Sequence, residues 1–416
     1  MKILLIGNYL IDRQESMQRF TNMLAAGLVN LGHEVRVIRP EPFWIKLASN
    51  FAGGLAKWFG YVDKFLAFPI ALKQAIAWAE VVHICDHSNA FYTKYLQHVP
   101  HLVTCHDLAA VRGAMGEDTD CPVSTTGKIL QSWILNGLKQ AQLVVCDSSH
   151  TKKDLERLAG GQMAQRSKLL LLGLNHTYGQ ISAAAIAQRL QAFPQLDLSQ
   201  PYLLNVGSSL RRKNREGVLQ TFKLVCTKLA AQAPDSDYLN YADDANAPEI
   251  LGSLDQPDNS IAPITNPNPQ QMQLVFAGSP LTAEQEQLAQ ELNLSDRIVQ
   301  IIKPDNNQLE ALYNQAFALL FPSKFEGFGW PVIEAQACGC PVLCSDRTSL
   351  PEVAGSGAIL RDADDAAGFA DAVLEIFNHA QKRQNLVSLG FANIKRFEPA
   401  IMIQKYADIY AELLHH

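Results

Sequence analysis

Leu319-Leu-Phe-Pro-Ser-Lys-Phe-Glu-Gly-Phe-Gly-Trp-Pro-Val-Ile-Glu-Ala-Gln-Ala-Cys-Gly-Cys-Pro-Val-Leu-Cys-Ser-Asp346 reads as strand, loop, helix and strand. The apolar run Phe317 to Phe321 has the length of a buried parallel strand, and Pro322 and Ser323 close it. Gly327 and Gly329 then allow backbone conformations closed to other residues and a close approach of ligand to main chain, just before Pro331 at an expected first helical position. A helix start carries unpaired N–H groups and the positive end of the helix dipole. The main chain from Phe328 through Gly329, Trp330 and Pro331 to Val332 is therefore expected to bind an anion, for which phosphate is the usual occupant. Gly339 suits the position just past the helix, and Pro341 to Ser345 supply the next strand.

Two acids flank this helix start, Glu326 in the loop and Glu334, placed by this reading in the first turn. On one continuous helix they would lie roughly 12 Å apart along the axis and about 80° apart around it, too far for an acid and base pair. Separate roles in one pocket follow. A carboxylate accepts hydrogen bonds from paired hydroxyls, which sugars and riboses offer, so the expected ligand is a sugar joined to phosphate.

Glu326 to Val342 closely resembles the signature of the retaining, nucleotide-sugar-dependent glycosyltransferases of family 4, which have the two-Rossmann GT-B fold. The likeness continues through Ser349-Leu-Pro-Glu-Val-Ala-Gly355. The resemblance implies that Glu326 lies by the transferred sugar and that Glu334 binds the donor ribose.

At 416 residues the chain suits two α/β domains. Its hydrophobic content of 48% indicates a soluble globular protein, and its net charge of −6 argues against a nucleic-acid partner. The cysteines Cys85, Cys105, Cys146 and Cys344 fall inside apolar runs, as buried hydrophobes of a reducing compartment do. Cys338 and Cys340 have no second pair or histidine at zinc spacing, so no metal site is expected. The apolar run after Met1 is too short for a secretory or spanning segment, and the expected location is cytoplasmic, with the inner membrane face as an alternative.

In the first half, apolar runs at Ile3 to Gly7, Val35 to Ile38, Val81 to Ile84, Leu102 to Cys105, Leu143 to Cys146 and Leu169 to Leu172 alternate with helical patterns such as Met17 to Leu31. That is a doubly wound parallel sheet, whose ligands bind at the carboxyl ends of its strands. Gly7 and Asn8 follow the first strand without a Gly-x-Gly-x-x-Gly, which disfavours a dinucleotide site and hence a dehydrogenase. Both are acceptor-side candidates. Family 4 commonly has a Gly-Gly pair in this loop, whereas this chain has Gln14 to Arg19, with Ser16 an expected helix cap. Asp86 and His87 follow the third strand. His106-Asp107 follows the fourth and is similar to the family's His-Asp pair, which implies that His106 lies near the reacting sugar, with Asp107 an acceptor-side candidate. Residues 43–78 mix Trp44, Trp58 and several phenylalanines with lysines, a pattern that fits helices packed on a sheet face or, alternatively, peripheral membrane contact.

The pattern loosens between Gly173 and Pro201 and resumes with a strand at Tyr202 to Val206. Gly207, at the strand's end, opens a loop carrying Arg211, Arg212 and Lys213, where cations suit a diphosphate. The resemblance implies that Arg212 and Lys213 hold the donor diphosphate, and that the nucleobase lies by Lys303. The expected domains are an N-terminal, acceptor-side domain over 1–176, a linker over 177–200, and a donor domain over 201–397, with a disordered insertion at 232–271. The resemblance also implies that the last helix, 398–416, packs back on the first domain.

Together these readings define a retaining hexosyltransferase moving a sugar from a GDP- or UDP-linked donor to a sugar, lipid-linked or other hydroxyl acceptor, without cofactor or metal. A sugar phosphorylase of the same architecture and a non-catalytic sugar-nucleotide-binding subunit are the alternatives. Glycoside hydrolysis is disfavoured because its two carboxyls must flank one bond.

Overall fold

The computed structural model of the chain describes residues 1–12, 14–47, 55–121, 123–232 and 271–415. The expected insertion at 232–271 therefore lies, apart from its two end residues, outside the described residues.

The first sheet contains β1 (Lys2–Ile6), β2 (Glu34–Ile38), β3 (Val81–Ile84), β4 (His101–Cys105), β5 (Leu143–Cys146) and β6 (Ser167–Leu169). All its neighbours pair in parallel, in the order β2-β1-β3-β4-β5-β6. The second holds β7 (Tyr202–Gly207), β8 (Gln273–Gly278), β9 (Ile298–Ile302), β10 (Ala318–Phe321), β11 (Val342–Ser345) and β12 (Ala358–Arg361), also parallel, in the order β12-β11-β10-β7-β8-β9. Both central regions are continuous apolar runs because helices cover both faces. The strand order reverses between β1 and β3 in one sheet and between β10 and β7 in the other. These are the crevices where open α/β sheets place ligands.

The helices that matter for the site are α1 (Glu15–Asn30), α2 (Ser149–Ala159), α3 (Ala183–Leu190), α4 (Arg215–Gln232), α5 (Asn306–Gln315), α6 (Trp330–Ala337) and α7 (Pro399–His415). Gln14, not Ser16, takes the N-cap position of α1. The first sheet's last strand stops at Leu169, and Leu170 and Leu172 are buried in the connection that follows. The loosened region after Gly173 contains α3, which is bound to the second sheet's layer: Glu310 of α5 takes an ion pair from Arg189 and a 2.9 Å hydrogen bond from the Gly179 amide.

α7 lies against α1 and β3 of the first sheet. A buried chain of hydrogen bonds fixes it there, from Tyr410 Oη to His83 Nδ1 at 2.7 Å, His83 Nε2 to Thr104 Oγ1 at 2.7 Å, and Thr104 Oγ1 to Tyr406 Oη at 2.9 Å. Burial pushes the His83 pKa down to about 3, so its imidazole is neutral and one ring nitrogen accepts while the other donates.

Within the segment 43–78, Trp44–Leu47 and Leu55 through Ile76 are helical. Phe65 and Phe68 turn inward onto Phe91 and Tyr92, whereas Leu66 and Ile70 are 66% and 65% exposed. Asp63 ties this segment to the loop after β1 by accepting from Tyr9 Oη at 2.8 Å.

Candidate active site

The β10–β7 crossover places two loops side by side, 322–329 after β10 and Ser208 to Asn214 after β7. Asn214 adopts a left-handed conformation, φ 55°, and its side-chain amide donates to the carbonyls of Pro322 and Ala363 at 3.1 and 2.6 Å. That turn brings the preceding cations onto the neighbouring loop. Lys213 Nζ is 2.6 Å from Glu326 Oε1, and Arg212 Nη1 donates to Glu326 Oε2 at 3.3 Å and to the Phe325 carbonyl at 3.0 Å. Burial opposes ionisation of Glu326, but Lys213 and then Arg212 outweigh it and hold its carboxyl below the usual range. Arg212, Lys213 and Glu326 thus meet at one crevice although about 113 residues of chain separate them.

Gly329 sits at the N-cap of α6 with φ 104°. The anion-binding stretch is narrower than the sequence suggests. Pro331 has no N–H, and the Val332 amide is taken by the Gly329 carbonyl at 3.0 Å. The amides of Phe328, Gly329 and Trp330 have no partner among the described residues. The Phe328 and Trp330 side chains are buried, Trp330 Nε1 donating to the Gly173 carbonyl at 3.0 Å. Ser349, which opens the quoted continuation, and its neighbour Thr348 hold this loop: Thr348 Oγ1 accepts from the Glu326 amide, and Ser349 Oγ donates to the carbonyls of Glu326 and Phe328 at 3.0 and 2.8 Å.

Glu334 is the fifth residue of α6, at the start of its second turn and not in its first. It accepts from Tyr313 Oη at 2.9 Å and from Asn175 Nδ2 at 3.3 Å, and burial raises its pKa to about 7. Tyr313 is fully buried. Its ring is core, and its hydroxyl serves the site. Lys213 also acts electrostatically on Glu334, where Arg19 has the larger effect. Lys303 follows β9 at the far side, exposed, with φ 50° and its amide on the Gly278 carbonyl.

Across the cleft, His106 is 4% exposed and its ring points inward. Nε2 lies 3.0 Å from the Cys85 carbonyl, which only accepts, and Nδ1 lies 3.0 Å from Asp147 Oδ2. Nε2 therefore carries a proton, and a second proton is shared between Nδ1 and the carboxylate. Burial opposes the imidazolium, but Asp147 outweighs it and raises the His106 pKa. The backbone of His106, not its ring, faces the donor loop: a Cβ placed on Gly327 would lie 2.1 Å from the His106 carbonyl oxygen and 3.0 Å from Asp107 Cβ. Asp107 itself accepts from the Ala109 amide at 3.0 Å. Further bonds join the two sides, with Glu352 accepting from the Ser149 amide and hydroxyl, both at 2.7 Å.

At the other crossover, Asn8 is buried and donates to Asp86, Gln14 and Ser88. Arg39 crosses over Gly7, where a Cβ would meet its Nε at 2.7 Å. Among the described residues no group of three or more His, Cys, Asp or Glu side chains could hold a metal ion.

Two six-stranded parallel sheets whose carboxyl edges meet across such a cleft define the GT-B class. Sucrose-phosphate synthase from Thermosynechococcus elongatus has this fold with a TM-score of 0.69 at 20% identity, covering 100% of this chain and 99% of its own. HepE from Anabaena, solved in complex with UDP, superposes with a TM-score of 0.67 at 15% identity, over 99% of this chain and all of its own. Residues 17–166 match the family model described as Glycosyltransferase Family 4, and residues 261–390 match Glycosyl transferases group 1. The chain belongs to the group 1 glycosyltransferases of family 4 type. It is 38% identical over 94 residues to O-antigen chain mannosyltransferase B of Escherichia coli, a match covering 23% of this chain and 24% of that protein. It is 37% identical over 91 residues to O-antigen chain mannosyltransferase RfbU of Salmonella typhimurium, covering 22% and 26%. The matched stretches thus span about a quarter of these relatives' length.

Proposed function

We propose that the protein is a retaining glycosyltransferase that moves a sugar from a nucleoside diphosphate sugar to a hydroxyl acceptor in the synthesis of a polysaccharide or other glycoconjugate. The observation that carries this reading is the convergence of Arg212, Lys213, Glu326 and the free amides of Phe328 to Trp330 at one crossover crevice, facing the His106 carbonyl. When the bond from the anomeric carbon to the diphosphate breaks, negative charge collects on the departing oxygen. Cations and amides already aimed at that oxygen lower the barrier. Because the His106 ring is tied to Asp147 and Cys85, it offers no nucleophile to the opposite face. We assign attack to the face the diphosphate leaves: the acceptor oxygen bonds to the anomeric carbon as the diphosphate departs with the acceptor's proton. GDP-mannose is the first donor to test, given the mannosyltransferase relatives, and UDP-glucose the second, given the UDP-bound neighbour.

The cations take the electrostatic part that a divalent ion plays elsewhere, so nucleotide release from donor and acceptor together should persist in EDTA. Release that stops without a divalent ion would contradict the assignment. Release dependent on inorganic phosphate would instead mark a phosphorylase.

In this reading Glu334 accepts the two ribose hydroxyls and must be ionised to do so. Its pKa of about 7 means that nucleotide binding expels a proton below that pH. Affinity should therefore fall as pH drops below about 7, approaching tenfold per unit, and Glu334→Gln should flatten that slope. A slope that survives in Glu334→Gln would remove Glu334 from ribose binding. The effect on folding runs the other way from an ordinary carboxylate: the raised pKa makes Glu334's contribution complete below 4.5 and lost as pH rises through about 7.

The reading extends to a lipid-linked acceptor at a membrane surface. Phe43, Trp44, Leu66 and Ile70 are exposed on a segment that also carries Lys46 and Lys73, a combination suited to an anionic interface. Among the described residues no helix is long and apolar enough to cross a membrane. Flotation with vesicles of anionic lipid should carry the protein, and Leu66→Ser with Ile70→Ser should release it. Equal flotation of both forms would refute this contact.

A further inference from the structure

Arg215 opens α4, and its side chain is fully buried. Nη2 donates to the Gly207 carbonyl at 2.8 Å, and Nη1 donates to the carbonyls of Ser279 and Pro280 at 2.9 and 3.2 Å. One guanidinium thus joins the loops that follow β7 and β8. Those loops are already in backbone contact, since a Cβ on Gly278 would lie 2.3 Å from the Gly207 carbonyl oxygen. The face of Phe276 lies 5.1 Å from the guanidinium carbon.

A buried guanidinium is costly unless a carboxylate neutralises it. Among the described residues no carboxylate is in ion-pair contact with Arg215. Glu216, next in sequence, tempers its charge at longer range while accepting from Gln285 at 2.8 Å. Burial lowers the Arg215 pKa to about 10, which leaves it charged at neutral pH. Its field reaches Lys213: burial depresses that ammonium most, Glu326 opposes, and Arg212 and Arg215 depress it further. Arg212, Lys213 and Arg215 therefore crowd one strand edge, and the carboxylate in contact there is Glu326, on the first two.

Resting on the donor-site reading above, we propose that Arg215 is a positioning residue for the nucleoside diphosphate. Its fork draws the Gly207 and Ser279 loops together at the donor site and keeps there a buried positive charge that the diphosphate neutralises on binding. The carbonyl dipoles hold the guanidinium in place without cancelling it.

The test compares Arg215→Met, which removes the charge, with Arg215→Lys, which keeps it. Arg215→Met leaves the Ser279 and Pro280 carbonyls without the guanidinium donor, so the melting temperature of each variant is measured first. The readout is the affinity of UDP against UMP and of GDP against GMP by calorimetry, at low and high salt. In Arg215→Met the preference for diphosphate over monophosphate should fall roughly tenfold, the order expected for one charge acting across about 12 Å of protein, and its salt dependence should shrink. Arg215→Lys should retain most of that preference. Loss of mono- and diphosphate affinity by the same factor, in both variants, would reduce Arg215 to a structural strut and overturn the proposal, as would unchanged preference in Arg215→Met. A wild-type protein that binds neither nucleotide pair would instead overturn the donor-site reading itself, and this inference with it.

Discussion

Replacing Lys213 by alanine is expected to raise the barrier to sugar transfer by about 2 to 4 kcal/mol, the range for losing one preorganised donor to a developing anion. The ammonium sits at the end of a short turn, 2.6 Å from Glu326 and 5.1 Å from the face of Phe321, so it is aimed before any ligand arrives. It does not have to be recruited from solvent at the moment of reaction. Substrate binding alone would lose less, because Arg212 and the α6 amides still face the diphosphate. The expected signature is therefore a fall in kcat larger than the rise in donor KM. Lys213→Arg should recover only part of the loss, since a planar fork does not replace a point charge at this short distance from Glu326. Turnover unchanged in Lys213→Ala would remove the residue from the reaction.

Gly327→Ala should abolish turnover almost completely while sparing nucleotide binding. A Cβ there would lie 2.1 Å from the His106 carbonyl oxygen, and a backbone atom cannot yield as a flexible side chain could. The two sheets would have to move apart along that edge. A displacement of about 1 Å between reacting groups can cost roughly a hundredfold in rate. The groups assigned to the diphosphate, Arg212, Lys213 and the α6 amides, all belong to the second sheet's loops and move as one. Nucleotide affinity within about threefold of wild type, with kcat lower by roughly a hundredfold or more, is the expected pair of results. Wild-type kcat in Gly327→Ala would show that the close approach of Gly327 to His106 is not needed for the reaction.

The features that sequence revealed are those with local causes. Glycine and proline punctuate Leu319 to Asp346 so heavily that strand, loop and helix follow from short-range sterics, and the six apolar runs of the first half announce a parallel sheet. The meeting of Lys213 with Glu326 was readable in outline because ligands of such sheets gather at strand ends. Relations across the cleft were not readable. Nothing in His106-Asp107 shows that the imidazole turns inward to Asp147 and leaves its carbonyl outward, because that depends on which groups the adjacent strands β3, β4 and β5 bring together. In sequence Arg215 carries no mark that separates it from a solvated cation, and only its burial against three carbonyls distinguishes it. Burial also misled: Leu170 to Leu172 continues the apolar run of β6 after the strand has ended, since a buried connection and a buried strand have the same composition. The helix α3 was missed because its eight residues make only about two turns and bury only Ile186 and Leu190, too few positions to set up a periodic apolar pattern.

A crystal structure of the protein with bound GDP or UDP tests the central claim most directly. The account predicts diphosphate oxygens in contact with Lys213, Arg212 and the main-chain amides of Phe328 to Trp330, and the ribose against Glu334. A nucleotide bound at the β1–β3 edge, or one whose phosphates point away from Lys213, would contradict it.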